Sequence, residues 1–273
     1  MMEKRRASGT ARAALLPIGR ELLTGRVLDT NSQYLARRLF EIGILVQRTC
    51  SMDDEIDAIT REIRRCKTDR VSAIITCGGL GPTPDDMTLK AVAAALRRDY
   101  VLDPEARAQI ERRYRELHLA GRLSDPQMTP DRLKMAFMPK GARLMPNTVG
   151  TAPGADILWG RTRVFCLPGV PAEMKAMAED SVFPALEGLS KVVIRRLTLQ
   201  VGTGDESHLA AMIRGIQPAH PAVHMKPEPK CFSDRRVMYI HLETEGKPKE
   251  VDCRLTACVA DMKRAGFDLK GVS

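Results

Sequence analysis

Val71-Ser72-Ala73-Ile74-Ile75-Thr76-Cys77 runs without a charge straight into Gly78-Gly79-Leu80-Gly81. A β-branched, uncharged segment of this kind reads as a central strand covered on both faces, because a solvated face would show alternating polar residues. Strands of that type belong to parallel sheets, whose neighbours are joined by crossover helices. The flanking sequence supplies both. Residues 13–18 read as a strand ended by Gly19, and 30–43 as a helix with Tyr34, Leu35, Leu39 and Ile42 on one face. Residues 44–50 read as a second strand. Asp53 or Asp54 is expected to cap a helix whose buried stripe is Ile56, Ile59, Ile63 and Cys66. Further helices are expected from Asp86 to Arg98 and over 104–119.

Residues 121–154 are rich in Pro, Gly and Met and read as an irregular connection with short strands, long enough to suggest a functional role. A hairpin (155–159 and 162–167) then leads through Pro168-Gly169 into a helix over 171–186. After Leu189 the pattern changes to strand 192–201, helix 205–214, strands 222–226 and 236–242, and helix 249–265. The expected organisation is a basic tail (1–12), an α/β domain (13–189) and a small α+β domain (190–273). At about 150 residues per domain, 273 residues suit two.

Lys and Arg number 43 against 34 Asp and Glu, a net charge of +9, and Lys4, Arg5, Arg6 and Arg12 carry part of the surplus against Glu3 alone. The rest is dispersed, and only 4% of residues are aromatic, unlike the cation-and-aromatic stripes that grip nucleic acid. The charge fits anionic small molecules, and no nucleic acid is expected as a partner. No window approaches the roughly 20 apolar residues of a membrane span, so no membrane contact and a cytoplasmic location are expected. The seven cysteines show no C-x-x-C spacing and read as buried thiols.

The densest chemical signal is Gly78-Gly79-Leu80-Gly81-Pro82-Thr83-Pro84-Asp85-Asp86-Met87-Thr88. Its glycines Gly78, Gly79 and Gly81 leave main-chain N–H groups uncovered before a helix start, a setting that suits a phosphate. Two adjacent carboxylates there would repel the phosphate unless a divalent cation lay between, and Mg²⁺ suits one or two carboxylates plus phosphate oxygens. Asp85 and Asp86 can equally cap the following helix. A second cluster, Glu21 with Asp29 and Asn31, follows the first strand and should border the same crevice. Asp29 also reads as a helix cap and Asn31 as a turn residue. Two more polar Gly/Pro segments, Asn147-Thr148-Val149-Gly150-Thr151-Ala152-Pro153-Gly154 and Leu167-Pro168-Gly169-Val170-Pro171-Ala172-Glu173-Met174, are candidates for ligand contact or for turns alone.

With these four segments in order, the sequence resembles the molybdopterin-binding (MoCF biosynthesis) superfamily, and within it the N-terminal region of the competence/damage-inducible CinA family. The motifs are G-x-E-L-L-x-G with D-T-N (19–25, 29–31), G-G-L-G-P-T-x-D-D-x-T (78–88), G-T-A-P-G (150–154) and L-P-G-V-P-x-E-M (167–174), and Gly202-Thr203-Gly204-Asp205-Glu206-Ser207 is similar to a G-x-x-E-S turn opening a small domain. The resemblance implies a three-layer α/β/α fold with a mostly parallel sheet and a small C-terminal KH-like α+β domain. It implies metal-dependent hydrolysis of a nucleotide pyrophosphate such as ADP-ribose to AMP and ribose 5-phosphate, with Mg²⁺, Mn²⁺ or Co²⁺. Asp86 matches the acidic residue at the metal and phosphates, and Lys134 a lysine that could bind phosphate as charge develops on it. Thr83 and Thr88 fall within the glycine motif.

Three departures stand out: Arg20 beside the glutamate, Met135 in place of a common glutamine, and no match to the family's C-terminal deamidase domain. The alternative readings are a molybdopterin adenylyltransferase-type enzyme of molybdenum cofactor biosynthesis, and a non-catalytic pterin- or nucleotide-binding module. The small domain lacks the G-x-x-G loop with which KH modules hold RNA and is expected to pack against a neighbouring subunit in a homo-oligomer.

Overall fold

Alternate residues of β1 (Ala11–Pro17) enter different cores: Ala14 and Leu16 one, Ala13 and Leu15 the other. The same alternation runs through β3 (Ala73–Cys77), where Ile74 faces one way and Ala73 and Ile75 the other, and through β8 (Thr162–Leu167), with Val164 and Cys166 opposed to Phe165 and Leu167. Strands buried on both faces cannot show a polar stripe, which is why Val71–Cys77 carries none. The computed structural model describes residues 10–202, 205–232 and 235–271. Residues 1–9 of the expected basic tail, with Lys4, Arg5 and Arg6, and Thr203 and Gly204 of the last motif lie outside the described residues.

Two compact units divide between Leu189 and Ser190, with Thr10 grouping with the second. In the first, α1 (Arg20–Leu23) and α2 (Thr30–Glu41) lead to β2 (Ile44–Thr49), and α3 (Ile56–Thr68) leads to β3. Then follow α4 (Thr88–Leu96), β4 (Tyr100–Leu102), α5 (Pro104–Leu119), α6 (Pro130–Lys134), β5 (Phe137–Pro139), β6 (Arg143–Met145), β7 (Gly154–Trp159) and β8, with α7 (Pro171–Met177) and α8 (Phe183–Leu186) closing the unit. The six-stranded sheet has the order β2-β1-β3-β8-β7-β6; β2, β1, β3 and β8 are parallel, and β7 pairs antiparallel with both β8 and β6, so that it alone is reversed. Ile59 and Ile63 of α3, Leu89 and Val92 of α4 and Ile110 of α5 cover one face, and Leu35 and Leu39 of α2, Met174 and Met177 of α7 and Phe183 of α8 cover the other. This is the three-layer α/β/α arrangement with a mostly parallel sheet.

The helix expected over 171–186 is interrupted by a π-turn at Ala178–Val182. Pro184 has no N–H to continue the i→i−4 ladder, and a wider turn relieves the lost bond.

The second unit runs β9 (Val193–Val201), α9 (Glu206–Ile216), β10 (Val223–Phe232), β11 (Arg235–Gly246), α10 (Pro248–Arg264) and β12 (Leu269–Gly271), an antiparallel sheet ordered β10-β11-β9-β12. Leu209 and Ile213 of α9 and Cys258 and Met262 of α10 pack on Leu199, Met238, Ile240 and Leu242. Asp205 caps α9 by accepting the Ser207 N–H at 2.9 Å. The strand expected over 222–226 is longer: β10 continues through Pro227 and Pro229 to Phe232 as an edge strand. Two prolines two residues apart turn the same edge outward, so neither removes a ladder bond.

Candidate functional site

Three strand ends meet on one side of the first unit. β1 passes into Ile18-Gly19, β3 into Gly78-Gly79 and β8 into Pro168-Gly169. The chain fills the sheet on one side of β1 with β2 and then on the other with β3, and at such a reversal the loops leave a crevice. Here they enclose a cleft of about 440 Å³.

Glycine is required where these loops touch. A Cβ on Gly78 (φ +113°) would stand 2.1 Å from the Ile18 carbonyl oxygen, and one on Gly79 (φ +67°) 2.2 Å from Thr88 Oγ1. Thr88 is buried beneath the loop: its hydroxyl donates to the Gly78 carbonyl at 2.8 Å and its N–H to that of Gly79 at 3.1 Å. It shapes the loop from below and does not line the cleft.

Five carboxylates line the opening: Asp86, Asp85, Glu21, Asp54 and Glu173. Asp86 Oδ2 accepts both the N–H (2.8 Å) and the hydroxyl (2.7 Å) of Thr83, and Asp85 takes a bond from the same hydroxyl. The Thr83 hydroxyl, with the Asp85 main chain and Lys134, holds the Asp85 carboxyl below its ordinary range. Lys134, the last residue of α6, donates to the Thr83 carbonyl. The helix after the loop begins at Thr88 with Met87 as its cap, so neither aspartate caps it. Glu21 folds back over Gly19, its carboxylate 2.5 Å from where a Cβ would stand.

The fourth acid is Asp54. Its expected role as a helix cap does not hold: α3 starts at Ile56 after Glu55, with no side-chain cap. Asp54 lines the cleft instead, with Oδ1 3.3 Å from a Cβ built on Gly79. Burial pushes its carboxyl up, as do the negative charges of Asp85, Glu21 and Asp53, against a bond from the Arg20 main chain. Sequence reasoning passed over this residue. The available signal was that Asp53-Asp54 follows a parallel strand, β2, whose carboxyl-end loop borders the same crevice as those of β1 and β3.

Opposite the acids, the 147–152 turn forms a wall built on Asn147. Asn147 Oδ1 accepts the N–H groups of Val149 (3.1 Å) and Gly150 (2.7 Å), and Nδ2 donates to the Ala152 carbonyl (2.8 Å) and Glu173 Oε2 (2.7 Å). Glu173 lies across Gly150, its Oε2 2.0 Å from a would-be Cβ, so a side chain there would displace the Glu173 carboxylate. Thr151, Ala152 and Glu173 reach the cleft; Asn147 is buried behind them.

Of the sequence candidates, Glu21, Gly78, Gly79, Gly81, Asp85, Asp86, Thr151, Gly169 and Glu173 therefore share one cleft. Asn31, buried, ties α2 to the third loop through Nδ2 to the Gly169 carbonyl at 2.8 Å. Asp29 caps α2 by accepting the Ser32 N–H at 2.9 Å. Gly154 lies in β7, where a Cβ would meet the Cys166 carbonyl oxygen at 2.5 Å; it serves strand packing, not the cleft. Met135 is buried in the core with Met138 and removes no contact from the cleft. The Arg20 side chain is not part of the lining.

An α/β/α domain with a glycine turn and acidic side chains at the sheet's reversal point is of the doubly wound class, in which such points are where ligands lie. The chain belongs to the family described as "Probable molybdopterin binding domain", which it matches over residues 14–188. It is 38% identical over 217 residues to the protein PH0439 of Pyrococcus horikoshii, covering 79% of this chain and 84% of that one. A CinA-like protein of Citrifermentans bemidjiense is 38% identical over 214 residues, 78% of this chain and 50% of the relative. Among solved structures, the CinA protein of Thermoplasma acidophilum, described as of unknown function, superposes with a TM-score of 0.56 at 35% identity, over 62% of this chain and 95% of that one. The domain is thus CinA-like. No helix among the described residues is long and apolar enough to cross a membrane.

Proposed function

We propose that the cleft binds the diphosphate of a nucleotide or pterin together with a divalent cation, and that its reaction is hydrolysis of a nucleotide pyrophosphate such as ADP-ribose to AMP and ribose 5-phosphate. One observation carries this reading: Glu21, Asp54, Asp85 and Asp86 line one cleft with a glycine turn in which Gly79 and Gly81 are partly exposed, the Gly78 N–H being taken by the Leu167 carbonyl at 2.9 Å. Such a cleft attracts cations and, by itself, repels phosphate. Main-chain N–H groups and acids suit a diphosphate only when a metal ion joins them.

The donor set fits a hard cation. Asp54 is held in partial burial beside other carboxylates, an unfavourable placement that a bound cation would relieve. Among the described residues no group of three or more His, Cys, Asp or Glu side chains forms a ready cage. Mg²⁺ needs none, since it uses one or two carboxylates and takes its remaining ligands from water and phosphate. Two carboxylates, Asp86 with Asp54 or Asp85, would hold the ion, which when bound would supply charge neutralisation and a more acidic water.

The chain's own residues have separable tasks. Gly78 and Gly79 keep the loop low enough for phosphate to approach the main chain. Thr83 fixes the orientation of the Asp86 and Asp85 carboxylates through its hydroxyl and N–H. Lys134 anchors that turn by its carbonyl and sets a positive charge beside the loop. Glu21, on the opposite lip, is free of such a clamp and can orient a water or a ligand hydroxyl.

A panel of ADP-ribose, FAD, NAD and molybdopterin with ATP, each with Mg²⁺, Mn²⁺ or Co²⁺, tests the reading by product chromatography. AMP and ribose 5-phosphate from ADP-ribose are the expected products. Adenylylated pterin would replace hydrolysis by adenylyl transfer, and saturable binding without product would leave a binding module.

A further inference from the structure

Arg113 is on α5, outside the cleft lining, yet its guanidinium reaches the wall of the cleft from behind. Nε donates to the Gly150 carbonyl at 3.0 Å and Nη2 to the Val149 carbonyl at 2.6 Å, while Nη1 rests on Glu116 Oε2 at 3.0 Å. From the other side Asn147 Oδ1 takes the N–H groups of the same two residues. Every polar main-chain atom of Val149 and Gly150 is therefore assigned to one side chain or the other. Two consecutive carbonyls are directed to α5, and the next residues, Thr151 and Ala152, face the cleft.

The direction of those carbonyls matters because of what they would face. Glu21, Asp54, Asp85, Asp86 and Glu173 already line the opening. A peptide carbonyl turned into it would add negative partial charge where an anionic ligand must lie. Loop peptides can flip about their flanking dihedrals unless both ends of the unit are held, and a planar guanidinium with two donors on adjacent carbonyls holds both at once. The arginine is half-buried, so these bonds are only partly exchanged with water.

We propose that Arg113 is a positioning residue for ligand binding: it holds the Val149 and Gly150 carbonyls away from the cleft, so that the 150–152 wall can accept a phosphate-bearing ligand. This inference rests on the proposed function for the ligand and on the hydrogen bonds for the mechanism. A role confined to stability would lower the melting temperature and leave affinity alone. A role through charge alone would be met in full by lysine.

The test compares Arg113→Ala and Arg113→Lys with Arg107→Ala, which removes an exposed cation paired with Glu111 on the same helix. ADP-ribose with Mg²⁺ is titrated calorimetrically, and amide hydrogen exchange is followed at residues 148–152. Arg113→Ala should weaken affinity about tenfold and speed exchange at those amides, since it removes two charge-assisted bonds. Arg113→Lys should fall between it and the wild type, because one ammonium cannot serve two carbonyls in fixed geometry, and Arg107→Ala should match the wild type. Wild-type affinity and exchange in Arg113→Ala would overturn the inference while leaving the nucleotide reading intact. If the wild type itself takes up no ADP-ribose and Arg113→Ala still exchanges faster, the nucleotide reading fails and the hold of Arg113 on the wall stands.

Discussion

Oδ2 of Asp86 accepts two hydrogen bonds from Thr83, one from its N–H and one from its hydroxyl, so the acid at the end of the glycine turn is fixed in direction before any ligand arrives. A carboxylate oriented in this way by a neighbour loses little freedom on binding a cation, and preorganisation of that kind is where catalytic sites differ from chance clusters of acid.

Asp86→Asn keeps the shape of the side chain and removes its charge. In the metal-dependent cleavage of ADP-ribose its rate should fall by at least about a hundredfold, with an unchanged circular dichroism spectrum. An unaltered rate would take Asp86 out of the mechanism.

Asp54 gives a prediction in pH. Its carboxyl is raised in the folded protein, so above the ordinary aspartate range the native state holds a proton more tightly than the unfolded chain. Stability from this group is then lost as pH rises through that window and regained as pH falls. Asp54→Asn should melt higher than the wild type at pH 7, with the gap closing on acidification. Mg²⁺ or Mn²⁺ should raise the melting temperature of the wild type more than that of the variant, since a ligand stabilises only the state that binds it. Equal metal-induced shifts in the two proteins would show that Asp54 does not contribute to cation binding.

The glycines separate strain from collision. Gly25 and Gly78 both have positive φ, but a Cβ on Gly25 meets nothing within 4 Å, whereas one on Gly78 meets the Ile18 main chain. Gly25→Ala should cost about 1 kcal/mol from the backbone alone. Gly78→Ala should cost about 3 kcal/mol or more, because two parallel strand ends must separate. Urea denaturation of both variants checks the ordering, and similar midpoints would contradict the close approach of the loops.

Away from the site, Glu179 accepts from the Arg38 guanidinium and the Tyr34 hydroxyl, and Arg38 and Tyr34 hold its carboxyl down to about 2. A lowered carboxyl adds stability that is complete above the ordinary glutamate range and disappears as pH falls towards about 2. Because the pair is partly exposed, Glu179→Gln should cost about 1 kcal/mol or less at pH 7. The difference from the wild type should vanish in acid; a penalty that persisted there would assign the effect to packing.

Much of this architecture was legible in the chain. The uncharged 71–77 segment, the helix over 104–119 and the Gly160-Arg161 hairpin each fix local structure by chemistry that tertiary context does not override. The CinA-like family and the α/β/α fold followed from motifs that sit at strand ends. What stayed hidden has a common cause. Asp54 looks like a helix cap, Pro227 and Pro229 look like strand breakers and Pro184 looks compatible with an unbroken helix, because the sequence does not reveal which groups face a cleft, an edge or a neighbouring turn. Asn31 and Asn147 were legible as residues of interest, yet not as buried struts that hold loops, a distinction set by packing alone.

The most direct test of the account is a crystal grown with Mn²⁺ and a non-hydrolysable ADP-ribose analogue, read by the anomalous signal of the metal. The manganese is expected between Asp54 and Asp86, with the diphosphate on the main chain of Gly79–Gly81. A metal peak and diphosphate away from that turn, with the carboxylates of Asp54, Asp85 and Asp86 uncoordinated, would contradict it.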